Sequence, residues 1–293
     1  MPGRAPLPAG MWKASMAAKI KWSEAKIAQL EREGRGKGAG AEYKPWVQVN
    51  DFSSRGYSRR VFSQKTGRVH HLLSEVEWQL FLLLEFSPAV LDIREQYPLK
   101  REQTLSIATE LGIRHPTYPG TSVSTVMTCD FLVILQEHGE QVVRAFSCKR
   151  ENGVDGERDV EKLEIERSYF SGRDVPHHLV FDSSLPKNKI DNVYWCRGAS
   201  INDDDTYEYD GAFAEHRQRL INELSRKPVG SLTQFCDNYD RLTGVKPGTG
   251  LRVVRALLWN RELLTDLNTP DPARQPAVMF SLAPNVAPQA RRA

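Results

Sequence analysis

Two charged residues frame one of the most apolar stretches of the chain. The segment TCDFLVILQEHGEQVVRAFSCK, residues 128–149, consists of two apolar runs joined by a polar turn, with Asp130 near its start and Lys149 at its end. Side chains alternate along a strand, so pairing Gln136 with Gln141 across the turn sets Asp130 beside Ser147 and brings Asp130, Ser147 and Lys149 to one face. A slip of one residue would separate the acid from the lysine. On the favoured face Ala145 and Ser147 are small and leave room for a ligand. A carboxylate that holds a divalent cation, and an ammonium that orients water or offsets charge on a phosphorane, are parts of phosphodiester hydrolysis. The same two residues also fit a plain salt bridge at the rim of a sheet.

A bound cation needs a second carboxylate. In SEVEWQLFLLLEF, residues 74–86, the spacing predicts a helix with Val76, Leu80, Leu83 and Leu84 as its core stripe, Glu77 beside that stripe, and Glu75, Gln79 and Leu82 facing away. An acid flanking a core is costly unless it is paired or holds a cation. Ser74 and Glu77 also match the S-x-x-E capping box, in which Glu77 bonds only to the backbone of Ser74. Position alone accommodates both readings. Just upstream, Arg68, His70 and His71 can contact phosphate or leaving group, or simply pack within GRVHHLL.

These residues need elements to position them. Helices at residues 74–86 and at ERDVEKLEIERSYFSG, the strand pair, and strands at HHLVFD and NVYWCR imply an α/β domain around one mixed sheet, residues 46–197. Residues 1–45 form a basic arm with a short helix, SEAKIAQLERE, capped by Ser23, and end in the glycine-rich EGRGKGAG. Such a segment, with Arg35 and Lys37 near its end, can lie along a phosphate backbone or act only as a solubilising tail. The acidic, polar residues 198–210 have the composition of a linker. Residues 211–283 give three helices and a short apolar strand, AVMFSL, compatible with a winged-helix module in which Arg252, Arg255 and Arg261 are available at the surface. A disordered tail is expected over 284–293.

Composition narrows the classes. The chain has 293 residues and a net charge of only +3, from 40 Lys plus Arg against 37 Asp plus Glu, so overall charge does not single out a nucleic-acid binder. Its four cysteines form no C-x-x-C pair, which excludes a zinc ribbon or a disulfide framework and fits a reducing cytoplasm. No run approaches the ~20 apolar residues of a membrane helix, and the N-terminus lacks the apolar core of a signal peptide. A cytoplasmic protein, associated with the bacterial nucleoid when bound to DNA, is expected.

Several longer motifs occur in a fixed order: EGRGKG followed by Tyr43, Pro45 and Trp46; SQKTGRVHHLLSEVEW; VLDIREQYPL; GIRHP; MTCDFLV; and ERDVEKLEIERSYF. On these the chain resembles the TnsA family, the endonuclease subunits of heteromeric Tn-seven-like transposons, from Glu31 to Trp195 and more faintly beyond. The resemblance implies a restriction-endonuclease-like core with catalytic Glu77, Asp130 and Lys149. It implies one or two Mg2+ ions, or Mn2+, held by Glu77, Asp130 and the backbone carbonyl of Cys148. The family places Gln two residues before the lysine, where this chain has Ser147, so the orienting role of that position is open. As partners the resemblance implies transposon-end DNA cut at its 5′ ends, a TnsB-like DDE transposase that cuts and joins the 3′ ends, and a TnsC-like AAA+ ATPase docking on the C-terminal domain. A stand-alone restriction-like nuclease, a junction resolvase, or a non-catalytic DNA-bridging subunit are the other classes these residues admit.

Overall fold

A computed structural model describes residues 20–51, 58–151, 156–201 and 211–286. The described chain forms two compact units, each discontinuous in sequence. The first takes residues up to Trp78, then Leu91–Cys148 and Asn152–Leu179; the second takes Gln79–Val90, Lys149–Glu151 and everything from Val180.

The first unit opens with α1 (Glu24–Arg32), capped as expected by the Ser23 hydroxyl, which accepts from the Lys26 N–H at 3.1 Å. Residues 33–46 are not the loose arm that their composition suggested. Ile27, Leu30 and Trp46 are buried with Tyr118 and Val126 in a core of their own. Gly36 lies so close to Pro98 that a Cβ there would come within 2.2 Å of its ring, and a Cβ on Gly38 would come within 2.4 Å of the Glu42 carbonyl. The glycines therefore serve close packing rather than flexibility. Most of the remaining basic arm, residues 1–19, lies outside the described residues.

A hairpin of β1 (Arg59–Ser63) and β2 (Arg68–Leu72) leads into helix α2 (Glu75–Phe86). The helix is buried on nearly every side: Leu82, expected to face away, is fully buried, whereas Leu83 of the expected stripe is only partly so. Strand β3 (Val90–Pro98) follows, then α3 (Arg101–Glu110), β4 (Thr128–Glu137), β5 (Glu140–Lys149), α4 (Glu157–Ser171) and β6 (His177–Phe181). The strands form one mixed four-stranded sheet in the order β3-β4-β5-β6. Its central pair is antiparallel with Gln136 opposite Gln141 and Phe131 opposite Phe146, the register deduced from the sequence. Cys129, Leu132 and Ala145 of this pair pack with Ile165, Tyr169 and Phe170 of α4.

In the second unit, α5 (Lys187–Ile201) corrects an expectation. The segment NVYWCR is helical, not a strand: Ile190, Val193 and Cys196 are buried at intervals of three while Tyr194 is 54% exposed, a spacing that only a helix gives. Gly198 to Ile201 of the expected linker continue that helix, and residues 202–210 lie outside the described residues. Then come α6 (Ala212–Leu224), α7 (Leu232–Thr243) and α8 (Thr249–Trp259), followed by β7 (Leu263–Leu264) paired antiparallel with β8 (Ser281–Leu282). Ser231 and Gln234 close a reciprocal capping box on α7. Leu220, Leu232, Val253, Val254, Leu257 and Leu258 share the core of this unit with Cys196. The expected AVMFSL strand is reduced to Ser281–Leu282, after a single 3-10 turn at Ala277–Met279. Val286 packs against the same core, so the expected tail is ordered at its start; residues 287–293 lie outside the described residues. Arg255 lies over the Trp195 ring at 5.0 Å and Arg261 over Phe86 at 4.3 Å, so two of the three arginines expected at the surface are partly buried against aromatic rings.

Candidate active site

Glu77 stands in the first turn of α2, where its own N–H donates to the Ser74 hydroxyl at 3.1 Å. Its carboxylate bonds one residue further back than a capping box requires: Oε2 accepts from the Leu73 N–H at 2.9 Å and from the Gln96 amide at 3.2 Å. The Ser74 side chain adds a third hydrogen bond to this carboxylate. The carboxylate thus serves the backbone of Leu73 rather than that of Ser74. Burial, and then the negative charge of Asp130, push this carboxyl up to about 8, against three hydrogen bonds that favour the ionised form.

A buried Glu77 and a partly buried Asp130 that repel each other would be relieved by a divalent cation between them. Asp130 accepts from the Cys148 N–H through Oδ2 at 2.6 Å, so the carboxylate lies against the backbone at the end of β5. Among the described residues no three His, Cys, Asp or Glu side chains converge as a ready cage. Backbone oxygen and water would complete such a shell, as they do around Mg2+. The linkage sign follows from the raised carboxyl of Glu77. The unfolded chain ionises first, so the cation-free protein loses stability as pH rises from about 4.5 towards about 8. Thermal melts in EDTA should show a slope over that interval that is smaller in Glu77→Gln; equal slopes would remove Glu77 as its source.

Ser147 is buried beside this pair and turned to other partners. Its hydroxyl meets Glu166 Oε1 at 2.7 Å and His177 Nε2 at 2.8 Å. Glu166 and His177 were not singled out from sequence as site residues, because they come from α4 and β6 and share no spacing with the strand pair. Glu166 does fall within the ERDVEKLEIERSYF motif. Lys149 is the last residue of β5 and is partly exposed.

The residues expected to touch DNA divide sharply. Arg68 and His70 are buried and committed to Glu95: Arg68 donates through both terminal nitrogens at 2.8 and 2.6 Å, and His70 Nδ1 lies 2.8 Å from Oε2. The His71 N–H adds a bond to Glu95 at 3.0 Å, and its ring nitrogen accepts from the Val49 N–H at 3.1 Å. These three hold the fold together and are not placed to receive a phosphate. Arg35 is likewise ion-paired with Asp51 and donates to the Trp46 carbonyl. Lys37 is exposed in the glycine loop.

Residues 87–182 match the TnsA-like endonuclease N-terminal family, and residues 185–267 match the TnsA endonuclease C-terminal family. The chain is also 36% identical over 243 residues to the transposon Tn7 transposition protein TnsA of Escherichia coli, covering 83% of this chain and 86% of that protein. The chain belongs to the TnsA family of endonucleases. Asp130, Ser147, Cys148 and Lys149 lie inside the N-terminal match, and Glu77 precedes it. Membership of the TnsA family makes this an enzyme acting on DNA, with a restriction-endonuclease-like sheet. No helix among its described residues is long and apolar enough to cross a membrane.

Proposed function

We propose that this TnsA-family chain makes the 5′-strand cuts at transposon ends in a Mg2+-dependent hydrolysis. In this reading a TnsB-like DDE transposase cuts and joins the 3′ ends, and a TnsC-like AAA+ regulator docks on the C-terminal helices. The observation that carries it is a buried Glu77 carboxylate fixed by Leu73 and Gln96, near enough to Asp130 to feel its charge, while Asp130 is itself fixed by the Cys148 N–H. Glu77, Asp130 and the Cys148 carbonyl hold the Mg2+ or Mn2+ ion, which supplies Lewis acidity at the scissile phosphate. Leu73 and Gln96 fix the Glu77 carboxylate, and the Cys148 N–H fixes that of Asp130. Lys149 contributes a cation against the charge that develops on the phosphate oxygens.

The test is a 5′-nicking assay on end-labelled transposon-end DNA with the partner transposase and ATPase present. Nicks should appear with Mg2+ or Mn2+ and vanish in EDTA. Lys149→Ala should lower their rate on the order of 100-fold or more while cation binding persists, as expected for loss of a group acting in the transition state. Nicking that survives EDTA would overturn the metal assignment. Unchanged nicking by Lys149→Ala would reduce that lysine to a rim charge.

A further inference from the structure

Gln96 lies near the end of β3, with a φ of +47° and only 4% of its surface exposed. That is the left-handed region, which residues with a side chain enter rarely and which persists only where the surroundings over-determine it. Both sides of Gln96 are fixed. Its carbonyl accepts from the Trp46 N–H at 3.2 Å, and its neighbour Glu95 is gripped by Arg68, His70 and the His71 N–H. Breaking the strand's regular alternation at one residue re-aims one side chain. That side chain reaches Glu77: the amide Nε2 donates to Oε2 at 3.2 Å, while at the other end its Oε1 accepts from the Thr128 hydroxyl at 3.4 Å.

We propose that Gln96 is a positioning residue for the cation site, a neutral clamp that fixes the Glu77 carboxylate for the metal shared with Asp130. The inference rests on the reading of Glu77 as a metal ligand. Amide chemistry suits the task. An arginine or lysine at this place would neutralise Glu77 and compete with the cation, and a third carboxylate would add repulsion without donating a bond. The Glu77 carboxylate, an acceptor, takes the NH2 end of the amide, and the Thr128 hydroxyl anchors the oxygen end by donating to it.

The experiment measures Mn2+ binding to the full chain by electron paramagnetic resonance of the free ion, with no DNA and no turnover. Groups that orient a metal ligand are worth about 10- to 100-fold in metal affinity. Gln96→Met, which keeps length and bulk and removes both hydrogen bonds, should therefore weaken Mn2+ binding about tenfold or more with an unchanged circular dichroism spectrum. Thr128→Val, which leaves Gln96 in place and removes the bond anchoring its oxygen end, should give a smaller loss in the same direction. Glu77→Gln is the control on the underlying reading. If it binds Mn2+ as the parent does, the metal-ligand assignment of Glu77 fails and the clamp with it. If Glu77→Gln loses the ion while Gln96→Met and Thr128→Val stay within about twofold of the parent, the Gln96 proposal alone is overturned. Should Gln96→Met fail to fold, Thr128→Val decides by the same twofold criterion.

Discussion

Cells carrying Asp130→Ala are expected to yield cointegrates in place of simple insertions. Asp130 meets the backbone of Cys148 at the end of a strand pair and is only partly buried, so the substitution removes the proposed cation ligand without opening a hole in the packed centre. Groups that merely orient ligands are worth up to about 100-fold, and a direct ligand should be worth at least that much, which takes 5′ cutting below detection. In the proposed division of labour the transposase keeps its own active site, so 3′ cutting and joining should continue as long as the mutant subunit still assembles. Each joined element then stays tied to its donor through the uncut strands, and replication converts that branched intermediate into a donor-target fusion. Long-read sequencing of insertion products gives the answer. A mutant that still produces mainly simple insertions would show that the 5′ cut is made elsewhere.

The second large effect is expected on stability rather than chemistry. Glu95 has no exposed surface and takes hydrogen bonds from Arg68, His70 and the His71 N–H. Burial alone would push its carboxyl up, but the charges and bonds of His70 and Arg68 outweigh that and hold it at about 2. Glu95→Ala leaves the Arg68 guanidinium buried without its partner, a loss of about 3–5 kcal/mol in comparable buried pairs. Such a loss is a large share of the stability of an ordinary domain. Urea unfolding of the two proteins measures it through the midpoint and slope. A difference under about 1 kcal/mol would mean that water reaches the arginine and that the cluster is not the anchor of β2 and β3.

How far the sequence reached is visible at single residues. The register of β4 on β5 followed from alternation alone, because burial on one face makes a one-residue slip expensive. Glu77 stood out as an acid beside a core stripe, while its bonds to the Leu73 N–H and the Gln96 amide carried no sign in the sequence. For Arg68 and His70 the sequence left phosphate contact and packing both open, because a basic residue beside a histidine looks the same whether its partner is phosphate or a glutamate 25 or more residues away. NVYWCR looked like a strand because valine, tyrosine and tryptophan favour strands, yet packing of Val193 and Cys196 against helical neighbours prevails. Gln96 carried no local sign at all. Its importance lies in a backbone angle and in a contact across 19 residues.

Helix α2 has its first turn, with Glu77, in one compact unit and the rest, from Gln79, in the other. In that second unit Glu85 is buried against the Arg197 guanidinium at 2.6 Å, and Phe86 is covered by Trp259 and Arg261. Inheritance is constrained as a result. A recombination joining the front of this chain to the back of a distant relative would leave a carboxylate and an aromatic ring without the partners that fit them, inside the helix that carries Glu77. The two parts of such a chain have to change together, and an engineer exchanging target-selection machinery between these transposons should move α2 with the C-terminal helices or repair positions 85, 86, 197, 259 and 261 as a set.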